Sequence, residues 1–221
     1  MKVEEKFDGV FLIEKKIATI NLARGQRVYG EEIIKYGKEY RVWDYYRSKP
    51  AAAIKKGLKV FPLKKGMKVL YLGIASGTTA SHFSDIIGKT GIIYGVDLAE
   101  RVLRELVHVA EKRGNIIPIL ADARLPEKYE SMVMEKVDLV YEDVASPDQA
   151  DIMIRNAQKF LKPEGLAMVA IKSQSINVVK PPKEIYKECL DRFEEYFEIL
   201  DKVELDPFEK DHMFVVMKLK K

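Results

Sequence analysis

Val69-Leu70-Tyr71-Leu72-Gly73-Ile74-Ala75-Ser76-Gly77-Thr78-Thr79 reads as an apolar strand, a glycine turn and the start of a helix. A second apolar run, Ile92-Ile93-Tyr94-Gly95-Val96, ends in Asp97, twenty-four residues past Gly73. That spacing suits a nucleotide-like cofactor over a sheet edge, with its ribose hydroxyls on the carboxylate. Outward from this stretch the rhythm of strand and helix continues. Strands are expected at 116–120, 137–141 and 166–171, with helices near 78–88, 99–113 and 183–197. Ser146-Pro147-Asp148-Gln149 predicts a capped helix start, with Ser146 as cap and Gln149 reaching back.

The alternation requires right-handed crossovers and a parallel sheet covered on both faces. Two closing strands, near 199–205 and 212–219, are joined by too few residues for a crossover and must be antiparallel to each other. The fold class is therefore α/β: a Rossmann-like fold with a mostly parallel seven-stranded sheet and an antiparallel last strand. Ahead of it, short alternating runs over 7–36 predict a small antiparallel β region. A helix is expected from about Ser48 to Gly57. The boundary falls at 1–55, a β-rich subdomain with an aromatic-basic linker, and 56–221, the cofactor-binding domain.

The 221 residues carry 38 Lys+Arg against 34 Asp+Glu, a modest net charge of +4. No apolar run approaches the 18 or so residues of a membrane span. The charged start Met1-Lys2-Val3-Glu4-Glu5-Lys6 does not read as a secretion signal. The lone Cys189 sits among apolar helix positions and reads as packing. Residues 41–68 hold nine basic residues against the single acid Asp44. Such a segment can attract a phosphate backbone or form a solvated lysine-rich face. Arg41, Arg47, Lys55 and Lys56 are its candidate RNA contacts.

The centre of the glycine turn, where a dinucleotide site brings its backbone against a pyrophosphate, holds Ala75. This disfavours an NAD-dependent oxidoreductase and suits a cofactor without phosphates, S-adenosylmethionine. Its methionine end would lie near Gly73, Gly77, Thr78 and Thr79, its ribose on Asp97, and its adenine by Asp122 and Ala123. Each residue has a plainer reading: tight turns for the glycines, a helix start for Asp97 and a turn cap for Asp122. Four further polar groups stand near strand ends: Lys49, Asp143, Lys172 and His212. Together they suit alcohol methylation, in which a cation favours a developing alkoxide and a carboxylate takes the proton. The methyl donor is activated by its own sulfonium, so no metal is required.

These residues resemble the fibrillarin family in its archaeal form. The matching stretches are Tyr40-Arg41-Val42-Trp43-Asp44 through Arg47-Ser48-Lys49, Tyr71 to Thr79, Ile116-Ile117-Pro118, Asp122-Ala123-Arg124, Glu142 to Gln149, Ile171-Lys172 and Asp211-His212. The resemblance implies ribose 2'-O-methylation of ribosomal and transfer RNA, directed by a box C/D guide RNA. It implies partners: a Nop5-type scaffold and the kink-turn protein L7Ae. It also implies that Lys49, Asp143, Lys172 and His212 are catalytic and that Asp97 and Asp122 bind the cofactor. Pro50 stands where the family commonly has leucine, and Asp97 where many members have glutamate. The glycine-arginine tail of eukaryotic members is absent from this sequence, which fits an archaeal cytoplasm rather than a nucleolus. A particle subunit that keeps the pocket without catalysing transfer is the non-enzymatic alternative.

Overall fold

A computed structural model describes residues 2–221. Strands β1 (Val3–Phe7), β2 (Val10–Ile13), β3 (Lys16–Ile20), β4 (Ile33–Tyr36) and β5 (Lys38–Val42) form an antiparallel sheet in the order β1-β2-β3-β5-β4. This sheet runs further than the expected 7–36, so Tyr40 and Arg41 are strand residues. Alternation along β5 sends them to opposite faces. Tyr40 packs with Ile13 and Ala18, while Arg41 enters the contact with the rest of the chain.

Helix α1 (Lys49–Lys55) follows, with Pro50 in its first turn. Then come β6 (Lys68–Leu72), α2 (Thr78–Ile87), β7 (Ile92–Asp97), α3 (Glu100–Arg113), β8 (Ile116–Leu120), β9 (Val137–Glu142), α4 (Gln149–Phe160), β10 (Leu161–Lys172), the short α5 (Ser173–Ile176), α6 (Pro182–Glu194), β11 (Phe197–Glu204) and β12 (His212–Leu219). The seven strands from β6 onward order as β11-β12-β10-β9-β6-β7-β8. Pairing is parallel from β10 through β8, and β12 runs antiparallel to both of its neighbours.

Two apolar layers cover this sheet. One gathers Leu70, Val140, Ile152, Val169 and Phe193. The other joins Val10, Ile17 and Trp43 of the N-terminal region to Phe83, Tyr141 and Phe214. Trp43 is fully buried there, so the small sheet shares a core with the large one. Burying a side chain of that size stabilises by roughly 1.5–3 kcal/mol or more, which a five-stranded sheet standing alone would forgo.

Three local expectations are corrected. The helix expected to reach residue 197 ends at Glu194, and Phe197 is buried as the first residue of β11. Strand β10 starts at Leu161, not 166: Leu161 already pairs with Val137, and the strand continues across a register shift where Glu164 adopts a left-handed φ of 57°. The capping box at Ser146 does not form: Asp148 holds the N-cap position without a side-chain bond. Gln149 instead turns into the sheet, for a reason the site makes clear.

Candidate active site

Parallel strands end together on one edge, and their connecting turns must pass each other closely. Gly73 makes that passage possible. Its φ is +76°, and a Cβ there would stand 3.0 Å from the backbone carbonyl of Asp143. The next turn residue, Ala75, takes a left-handed φ of 51°. Its N–H donates to Asp97 Oδ2 at 2.9 Å, while Asp97 Oδ1 accepts from Ala99 N at 2.9 Å. Two backbone amides thus aim the Asp97 carboxylate. A carboxylate has about four acceptor positions, so two remain for a diol.

A cleft of about 450 Å³ opens at this edge, with Gly73, Ala75, Asp97, Asp122, Ala123, Asp143 and Lys172 among its walls. Of the expected cofactor ligands, Gly77, Thr78 and Thr79 are not among the wall residues, and the packing explains two of them. Gly77 is needed because a Cβ would come within 2.7 Å of Leu106 on α3. Thr79 Oγ1 is bonded to Ser48 Oγ at 2.8 Å, and Ser48 also accepts from Trp43 Nε1 at 2.8 Å. The hydroxyls thus fasten the start of α1 to the start of α2.

Asp122 is placed by a residue that sequence reasoning missed. Buried Asn156 donates to the Ala123 carbonyl at 2.9 Å and accepts from the Tyr129 hydroxyl, fixing the loop after β8. Arg124 folds back on Asp122, with Nε at 2.9 Å and Nη2 at 2.6 Å from Oδ2. That hydrogen bond holds the Asp122 carboxyl below the usual aspartate range. Arg124 is half exposed.

Lys49, Asp143 and Lys172 meet. Asp143 Oδ1 lies 3.1 Å from Lys49 Nζ and 2.8 Å from Lys172 Nζ. Lys172 also donates to the Asp143 carbonyl at 2.6 Å. All three side chains keep 15–17% of their surface open. Gln149, which is not a helix cap, holds the β9 and β10 ends together. Its amide donates to Ala170 O at 2.8 Å and Val144 O at 3.2 Å, and its oxygen accepts from Lys172 N at 3.0 Å. His212 is the cross-strand partner of Lys172, but its ring bonds the Lys210 carbonyl at 2.7 Å rather than Asp143.

One acid was given no role in the sequence reading. Glu142 points to the opposite face of β9 from Asp143, is fully buried, and has no hydrogen-bond partner at either oxygen. Burial lifts its carboxyl well above the usual glutamate range, against the pull of Lys172. Burial likewise pushes the Cys189 thiol up to about 12.

The candidate RNA contacts divide. Arg47, Lys55 and Lys56 are exposed. Arg41 is not: it is fully buried, bonded to Glu31 at 2.5 Å, Asp85 at 2.9 Å and Ser81 Oγ at 2.8 Å. Asp85 in turn accepts from Thr19 Oγ1 at 2.7 Å, Leu22 N at 2.8 Å and Arg113. Arg41 therefore joins the small sheet to α2 and is closed to RNA. Among the described residues, no group of three or more His, Cys, Asp or Glu gathers as a metal site, and no helix is long and apolar enough to cross a membrane.

Comparison with known proteins supplies the remaining findings. The fibrillarin family model matches residues 1–221. A fibrillarin-like rRNA/tRNA 2'-O-methyltransferase of Pyrococcus furiosus is 55% identical over 222 residues, covering 97% of each chain. The crystal structure of Aeropyrum pernix fibrillarin with natively bound S-adenosyl-L-methionine superposes with a TM-score of 0.89 at 51% identity, covering 98% of each chain. The fibrillarin of a fibrillarin/Nop5p complex superposes with the same score at 38% identity, covering 96% of this chain and 98% of that one.

Proposed function

The chain belongs to the fibrillarin family, and we propose that it is the catalytic subunit that methylates ribose 2'-hydroxyls in ribosomal and transfer RNA. S-adenosylmethionine is its methyl donor. The observation that carries this reading is the convergence of Lys49 and Lys172 on Asp143, at the wall of the cleft that also presents Asp97 and Asp122.

The residues fit the donor. Asp97, with two acceptor positions left by Ala75 and Ala99, holds the ribose hydroxyls. Asp122 takes the adenine amino group once Arg124 moves aside, and Ala123 lines the ring. When bound, S-adenosylmethionine supplies a methyl group already activated by its sulfonium.

The protein then has two tasks, placing the hydroxyl and handling its charge. A ribose hydroxyl is a weak nucleophile at neutral pH. Asp143 accepts its proton. Lys172 is anchored twice, on the Asp143 side chain and carbonyl, and so fixes the carboxylate. Lys49 comes from a different segment, and its ammonium turns toward the developing alkoxide, where a preplaced charge acts most strongly. His212, beside Lys172 in the ladder, completes the polar surround.

The chain works with a Nop5-type scaffold, the kink-turn protein L7Ae and a box C/D guide RNA, in the cytoplasm. The modest net charge of +4 supports dependence on partners for RNA affinity. We read residues 1–55 as a subdomain that steadies α1 and residues 56–221 as the methyltransferase domain. The test is methylation of a guided target with scaffold and kink-turn protein added one at a time. Transfer is expected in the full assembly. An assembly that forms on guide and target yet transfers no methyl group would instead assign the chain a non-catalytic role.

A further inference from the structure

Two chain segments lead into residues of the Asp143 cluster, one into Lys49 and one into His212, and both carry aromatic rings; Tyr45 and Tyr46 line a hollow distinct from the cofactor cleft. Tyr45 and Tyr46 lie just before Lys49. Phe208 lies four residues before His212, which pairs with Lys172. The two segments meet: Phe208 stands 4.8 Å from Tyr45 and 5.5 Å from Tyr46, ring centre to ring centre, and Tyr45 stands 4.8 Å from Tyr46. Tyr46 is nevertheless 62% exposed. It is not loosely held, since its N–H donates to Asp44 Oδ1 at 2.8 Å and Arg47 N closes the turn on Asp44 O at 3.2 Å. Cations flank the rings: Lys55 lies over Tyr45 at 5.2 Å and Arg47 over Tyr29 at 5.1 Å. Of the four acids lining this hollow, Glu31 is paired with Arg41 and Glu32 with Lys16, Asp44 accepts from the Tyr46 backbone, and Glu14 is the fourth.

A fixed, exposed aromatic among cations is a surface that a nucleic acid strand uses: rings stack on bases or sugars while ammonium and guanidinium groups meet phosphates. We infer that Tyr46, backed by Tyr45 and Phe208 and flanked by Arg47 and Lys55, is the shelf that holds the target strand beside the reacting ribose. The inference rests on the RNA-methyltransferase reading and adds the residues that position its substrate. In this arrangement the cleft holds the cofactor and the shelf holds the target strand, with Lys49, three residues after Tyr46, reaching Asp143. The shelf's position next to Lys49, and its cations, favour RNA over a protein occupant.

The test uses the full chain assembled with scaffold, guide and target RNA. Tyr46→Ala is expected to raise the KM for target RNA about tenfold, the size of a lost aromatic contact to a nucleotide. Tyr46→Trp is expected to restore it, and calorimetric S-adenosylmethionine binding should not move. Since Tyr46 is exposed, melting of both variants checks that the fold is intact. A target KM within about twofold of wild type for Tyr46→Ala, well below one lost stacking contact, would overturn the shelf. So would lost scaffold assembly with unchanged affinity for a guide–target duplex, which would make the surface a protein interface. If the wild-type assembly transfers no methyl group, the methyltransferase reading fails by itself. The shelf is then judged on duplex binding by fluorescence anisotropy, where Tyr46→Ala should still weaken affinity.

Discussion

Arg41 on Glu31 and Asp85, and the two lysines on Asp143, use the same chemistry in two settings. The Arg41 cluster is sealed, with side chains 0–1% exposed, and Asp85 receives hydroxyl, backbone and guanidinium donors at once. The Asp143 cluster is left ajar at the wall of a cleft. Arg41 is locked in a planar multidentate grip, whereas each lysine presents a compact point charge with part of its surface still open. Accessibility and spare bonding capacity, not the mere presence of an ion pair, separate a structural clamp from a reactive group.

The comparison breaks most readily at Arg41. Arg41→Ala should lower unfolding free energy by about 3–5 kcal/mol, because it strands buried carboxylates. Denaturant titration reads this, and a loss below about 1 kcal/mol, the level of an exposed pair, would make the clamp dispensable. Lys49→Ala should do the reverse. Stability should barely change, while methyl transfer falls on the order of 10²–10³-fold, as when one transition-state donor is removed. Full transfer by this variant would remove Lys49 from the catalytic set.

A smaller effect is expected at Asp97. Asp97→Ala should raise the S-adenosylmethionine dissociation constant roughly 10- to 100-fold, the size of a charged hydrogen-bonding partner. Calorimetric titration measures it, and unchanged affinity would place the ribose elsewhere. The remaining effect belongs to Glu142 and depends on pH. In the folded chain its carboxyl holds its proton well above the usual glutamate range. As pH rises past about 4.3, the unfolded chain releases a proton that the folded one keeps, so stability falls by up to about 1.4 kcal/mol per pH unit until Glu142 itself ionises. Glu142→Gln should remove this loss: melting temperatures should diverge in favour of the variant as pH rises above the usual glutamate range and converge below it. Parallel curves at every pH would show that Glu142 ionises normally.

The parallel sheet was legible because its strands are continuous apolar runs, as burial on both faces requires. Asp97, Asp122 and Asp143 were legible because each follows such a run, at the edge where open sheets bind ligands. Arg41 was misread. Within an aromatic-basic run it looks solvated, and its partners Glu31 and Asp85 lie 10 and 44 residues away, beyond any local pattern. The packing reason for Gly77 was not legible because the contact that demands it, Leu106, comes from another helix. Gln149 looked like a helix cap because its true partners, Ala170 and Lys172, belong to the next strand. Glu142 was hidden by its neighbour: in a strand, consecutive acids face opposite sides, and only one faces the cleft.

Single-turnover methyl transfer by Asp143→Asn in the assembled particle, with calorimetric S-adenosylmethionine binding alongside, bears most directly on the claim that the open cluster performs the reaction. The asparagine keeps the shape and removes the proton acceptor. Transfer should fall about 10²- to 10⁴-fold, the usual worth of a positioned general base, with cofactor affinity unchanged. Transfer at the wild-type rate would contradict the account and place the proton on another group.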